Sequence, residues 1–146
     1  MFTAGQYAVN AYAKVGIQTS LDAADPHRLI LMLYDGALLA TVDAKRHMLA
    51  GNLAGKGESI SKAIMIIEDG LRASLDVRVG GALAQNLRAL YSYMSQRLLM
   101  GSLRKDPAMI DEVHQLLTEL REAWTAIQPG TPPRAAPASA TAARRP

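Results

Sequence analysis

The chain has 146 residues, enough for one domain with a sizeable core. It has no cysteine, which excludes a disulfide framework and a thiolate metal site. Its formal charge of +3 is no nucleic-acid footprint: Arg134, Arg144 and Arg145 are the only charged residues after 128, and residues 1–128 hold 13 basic and 13 acidic side chains.

Residues 1–24 carry an apolar edge at helical spacing, Val9, Tyr12 and Val15, with Phe2 and Tyr7 nearby. Gly5 and Gly16 limit any helix there to about ten residues, too short to be stable alone. The segment is expected to be an arm that docks on the body or frays.

The first long helix is predicted over about 26–50. Asp25 before Pro26 supplies an N-cap and a proline at the first helical position, where the missing N–H has no intrahelical partner to lose. At about 100° per residue, Ile30, Leu33, Tyr34, Ala37, Ala44 and Met48 form one stripe, and Leu31, Leu38, Val42 and Leu49 form a second. One neighbouring helix cannot cover both. Either this helix is central, or the protein leaves apolar surface for a partner.

The GNLAGKG run is expected to end that helix and make the turn. A second helix follows over about 58–77. Its core stripe is Ile60, Ala63, Ile64, Ile67, Leu71 and Leu75, and Ile66, Ala73 and Val77 lie on another side. Gly80 and Gly81 break the chain. The third helix, about 82–101, turns Leu83, Leu87, Leu90, Met94 and Leu98 inward, carries Ala82, Asn86, Ala89, Tyr93 and Met100 on a second side, and is expected to end at Gly101. The fourth opens on Asp106 before Pro107 and packs through Ile110, Val113, Leu117, Leu120 and Trp124. Pro129 and Gly130 stop it. The remainder, PGTPPRAAPASATAARRP, has almost nothing to bury and is expected to be disordered.

These elements predict an all-α protein: a short N-terminal arm over 1–24, an antiparallel up-and-down four-helix bundle over 25–128, and a Pro/Ala-rich tail over 129–146. No apolar run approaches the ~20 residues of a membrane span, and the opening residues lack the order of a secretory signal. The expected location is cytoplasmic, without membrane insertion.

Catalytic patterns are missing. A di-metal carboxylate bundle needs inward Glu-x-x-His pairs; the nearest approach is Asp111 and His114, away from the core stripe. There is no phosphate loop and no dinucleotide fingerprint. His27, His47 and His114 each fall beside charges and read as solvated surface residues. A bundle for phosphotransfer, with His47 as acceptor, or for scaffolding is the alternative to a binding module. The surplus apolar stripes themselves leave two readings open, a compact core wrapped on several sides or a groove for partner helices.

Five pieces in this order resemble the FliS family of flagellin export chaperones. They are Ser20 to Pro26 leading into Leu29–Ala37 (LILMLYDGA); Ser61–Leu71 (SKAIMIIEDGL); Leu75-Asp76 followed by Gly80-Gly81; Asn86-Leu87, then Leu90 to Met94 and Arg97-Leu98; and Leu120–Trp124 (LREAW). Ala11-Tyr12-Ala13 with Val15 resembles the family's arm. The likeness spans nearly all of residues 1–128, and the tail is longer than the family's usual ending.

The resemblance implies a cytoplasmic bundle that is not an enzyme and needs no cofactor. It would bind the C-terminal segment of flagellin, with 1:1 stoichiometry expected, prevent premature polymerisation, and present the subunit at the cytoplasmic domain of the flagellar export gate. The client is expected to meet the second stripes: Leu31, Leu38, Ile66, Ala73, Val77, Ala82, Asn86, Ala89 and Tyr93. Val9 and Tyr12 of the arm either cover that surface as a lid or join it. Trp124 is expected to anchor the core.

Overall fold

The computed structural model describes residues 25–127. They form four antiparallel helices, with no strand among the described residues. These are α1 (Pro26–Ala50), α2 (Leu53–Met65), α3 (Val77–Arg104) and α4 (Pro107–Ala126). A π-helical stretch, Ile66–Arg72, continues α2 without a break. The arm and the tail, with Val9 and Tyr12, lie outside the described residues.

Each helix opens on an Asp or Asn side chain that accepts from a first-turn amide left without an intrahelical partner. Asp25 takes the Arg28 amide at 2.7 Å, Asn52 that of Gly55 at 3.0 Å, Asp76 that of Arg78 at 3.2 Å, and Asp106 that of Ala108 at 3.0 Å. Links this short leave consecutive helices antiparallel. Cross-pairings agree, because numbers rise on one helix as they fall on its neighbour. Along α1 and α4 the pairs are His27 with Trp124, Asp35 with Arg121, and Lys45 with Asp111. Along α2 and α3 they are Lys56 with Ser102 and Glu68 with Ser95.

The helices form a ring in which α1 packs against α2 and α4, and α3 closes against both of those. The core inside it is built from Leu29, Leu33 and Ala37 of α1, Ile60, Ile67 and Leu71 of the second segment, Met94 and Leu98 of α3, and Ile110, Val113 and Leu117 of α4. Across the ring, the Tyr34 and Tyr91 hydroxyls meet at 2.6 Å, one donating to the other. Burial pushes both phenols above their ordinary pKa, and for Tyr91 its neighbour Tyr34 adds to the rise. This diagonal bond satisfies two polar groups that water cannot reach.

Several boundaries and faces differ from the sequence reading. Gly51 alone ends α1, in a left-handed conformation (φ 75°), and α2 begins at Leu53, so Gly55 and Gly57 lie inside a helix. The second segment stops at Arg72, not near 77. Gly101 is not a cap: α3 runs on to Arg104, and Lys105 (φ 55°) makes the stop. Gly101 instead lets α4 come close, since a Cβ there would sit 2.9 Å from the Met109 Cβ.

Ile66, assigned to a partner-facing side, is fully buried. The π-helical stretch turns less per residue than an α-helix, so Ile66 and Ile67, then Gly70 and Leu71, all reach the core. His27 is buried, not solvated. Trp124 is half-buried at the rim and packs on the core from outside.

Candidate functional site

Burial falls steadily along one face of α3. Leu98 and Met94 are fully buried, Leu90 and Leu87 are half-buried, and Leu83 is 68% exposed. Their spacing keeps all five on one side. The sequence reading placed Leu83 in the core, and its position on the helix agrees; among the described residues nothing covers it. Gly81 adopts φ 57° and ψ −135°, a conformation open to glycine, and breaks the helix there. Val79, just before it, is 80% exposed.

The expected partner-facing residues of this region divide. Ala73, Ala82, Asn86, Ala89 and Tyr93 are exposed, and Val77 is half-buried. Ile66 drops out because it has no surface to offer. Tyr93 donates to Glu112 across the α3–α4 seam, and Arg97 donates to the same carboxylate at 2.7 Å while lying over the Tyr93 ring. The bond from Tyr93, helped by Arg97, holds the Glu112 carboxyl below its usual range. It also raises the Tyr93 phenol.

A second uncovered strip runs along α1. Leu31 and Leu38 are half-buried, Val42 is exposed, and Leu49 is 68% exposed. Beside it, a cleft of about 460 Å³ opens between α1 and the start of α4, floored by Thr41, Val42, Leu49 and Ile110. Lys45 and Asp111 pair at its edge at 3.0 Å, with His114 nearby. His47 lies half-buried at the α1–α2 turn, its Nδ1 3.3 Å from the Asn52 amide nitrogen. Among the described residues no cluster of three His, Asp or Glu side chains could hold a metal.

A third feature was not legible in the sequence. A cavity of about 340 Å³ sits where the π-helical stretch ends and α3 begins, with Glu68, Asp69, Arg72 and Arg88 in its lining. Glu68 accepts from Arg72 Nη1 at 3.3 Å and from Ser95 Oγ at 2.8 Å. Arg72 Nε is buried with no partner. The departure from α-helical geometry gives no signal in residue types.

A bundle that leaves core-type leucines uncovered on α3, and a second strip bare on α1, is built to receive another chain. Its class is an all-α binding protein whose bare surface takes apolar segments. Residues 8–131 match the family model described as flagellar protein FliS, and the chain belongs to that family. It is 46% identical over 129 residues to the flagellar secretion chaperone FliS of Salmonella typhimurium, covering 88% of this chain and 94% of that one. Against the FliS of Escherichia coli it is 47% identical over 114 residues, 78% and 84% of the two chains. Against that of Bacillus subtilis it is 33% identical over 107 residues, 73% and 78%. The chain is thus a flagellar secretion chaperone by family, and no described helix is long and apolar enough to cross a membrane.

Proposed function

We propose that this chaperone acts in the cytoplasm, binds the C-terminal segment of flagellin, prevents its premature polymerisation, and presents it to the cytoplasmic domain of the flagellar export gate. It does so by binding, without catalysis. The observation that carries the reading is the exposed Leu83 on the face that buries Met94 and Leu98. An amphipathic segment laid there completes a core that the bundle leaves unfinished. Such a client, disordered when free, gives up ordering entropy on binding, which keeps net affinity modest and release easy. The α1 strip, from Leu31 and Leu38 to Leu49, offers a second length of surface to a client that wraps.

The arm belongs to the same reading. In an up-and-down bundle the start of α1 and the start of α3 lie at one end, so residues 1–24 leave the body beside the bare leucines. There Val9 and Tyr12 act as a removable lid, or else touch the client. Amide exchange over residues 3–18 separates the two: a lid loses protection when a flagellin peptide binds, and a contact element gains it.

The central test mixes the protein with a flagellin C-terminal peptide. A 1:1 complex is expected, weakened by Ala89→Glu without loss of the thermal transition, since Ala89 is exposed. Absence of any complex would overturn the assignment of the client.

A further inference from the structure

We infer that the cavity between the π-helical stretch and α3 is a carboxylate site, and that it takes the chain end of the bound client. The inference rests on the client reading above. It starts from the polar groups that line the cavity. Both oxygens of Glu68 are engaged, one by Arg72 and one by Ser95, and Asp69 is not free. The arginines have donors left over. Arg72 keeps a buried Nε–H with no acceptor, and Arg88 makes no hydrogen bond or ion pair with any described residue. A cavity whose acids are taken and whose arginines are not is short of acceptors.

The missing partner is therefore an anion, and a planar one suits guanidinium donors. The rest of the wall is Ala73, Leu75 and Val77, so the group arrives on an apolar neighbour. At about 340 Å³ the space holds one residue, not a helix. A buried N–H left unpaired costs free energy, and a ligand oxygen that reaches it recovers that loss. The site adjoins the bare face of α3, which starts at Val77. A segment lying along Leu90, Leu87 and Leu83 reaches the cavity as it leaves the bundle.

An α-carboxylate is the source that fits. Every C-terminal segment ends in one, whatever its sequence, while an Asp or Glu side chain must occur at the right place. The proposal makes the chaperone a reader of where its client stops as well as of its apolar face.

The experiment is a titration of the full-length protein with one flagellin C-terminal peptide in two forms, free acid and C-terminal amide. The amide should bind about tenfold more weakly, the scale of one charge-assisted hydrogen bond. Arg88→Gln should remove that difference, lowering acid affinity to the amide's and leaving amide affinity unchanged. Arg88 is exposed, so the melting transition should stay in place. A third peptide, with its acidic side chains changed to amides and its free end kept, should bind like the parent. If it loses the tenfold instead, the carboxylate comes from a side chain and the chain-end assignment is overturned. Equal binding of acid and amide to the wild-type protein overturns the proposal while sparing the client reading. If neither form binds, both fall.

Discussion

The two sides of one bundle end are finished differently. On the α1–α4 side, His27 stacks on Trp124 with ring centroids 5.2 Å apart and planes 11° from parallel. The His27 Nε2–H donates to the Trp124 carbonyl at 2.6 Å, and the indole N–H donates back to the His27 carbonyl at 3.0 Å. A carbonyl only accepts, so that bond fixes the imidazole proton on Nε2. On the α2–α3 side, at the same end, Leu83 and Val79 lie open beside a cavity with unused donors. Sealing one side and not the other lets a bundle hold its shape while it keeps surface for a client.

Four measurements would break or sharpen that contrast. The largest effect is expected from Ile66 set against Leu83. Ile66→Ala should lower unfolding free energy by about 2–5 kcal/mol, as for other fully buried aliphatics. Leu83→Ala should leave it within about 0.5 kcal/mol, as at exposed sites, yet weaken the flagellin peptide. Denaturant melts of both, with peptide titrations, check this; a large stability loss at Leu83 would mean that the surface is a finished core.

Trp124→Ala comes next. It removes the ring stack and one of the two bonds that seal the end, and leaves His27 partly uncovered. A loss of about 3 kcal/mol is expected, the low end for a tryptophan because the side chain is half-buried. Peptide affinity should hold when measured well below the melting temperature. Selective loss of binding would move the client to the sealed side.

The tyrosine pair should follow. Tyr34→Phe strands the buried Tyr91 hydroxyl and should cost about 1–3 kcal/mol, while Tyr34→Phe with Tyr91→Phe should cost less than the single change. The same pair sets an alkaline limit. Burial raises both folded-state values above 10.0, so their contribution is complete below that pH. It is lost as pH climbs past 10.0, where the unfolded chain ionises and the fold resists.

The smallest effect belongs to Glu112. Its folded value is depressed, so its contribution is present above the ordinary carboxylate range and fades as pH falls through the folded value. Glu112→Gln should flatten the acid side of the stability profile slightly. Exposure and salt screening keep the change small.

How far the sequence reached is clearest helix by helix. Asp25-Pro26 and Asp106-Pro107 marked two starts correctly, and apolar periodicity assigned most of the core. The caps at Asn52 and Asp76 went unread because glycines nearby suggested turns. Gly55 and Gly101 serve close packing, and only the neighbour reveals that. Periodicity failed at Ile66 because the backbone leaves the α-helix there. For Leu83 it gave the face correctly; exposure depends on what lies opposite, which no single helix encodes. His27 looked solvated beside Arg28, and only the fold brings Trp124 against it.

Trp124 is also the sole tryptophan of the chain. The near-ultraviolet emission of the whole molecule therefore originates at one spot, an indole lying face to face with an imidazole on the sealed side. A client that occupies the α3 leucines and spares that stack leaves the emission maximum where it was, whereas melting exposes the indole to water and moves it to longer wavelength. Loading and unfolding thus carry separate optical signatures, and a binding curve followed by tryptophan emission would remain flat while the complex forms.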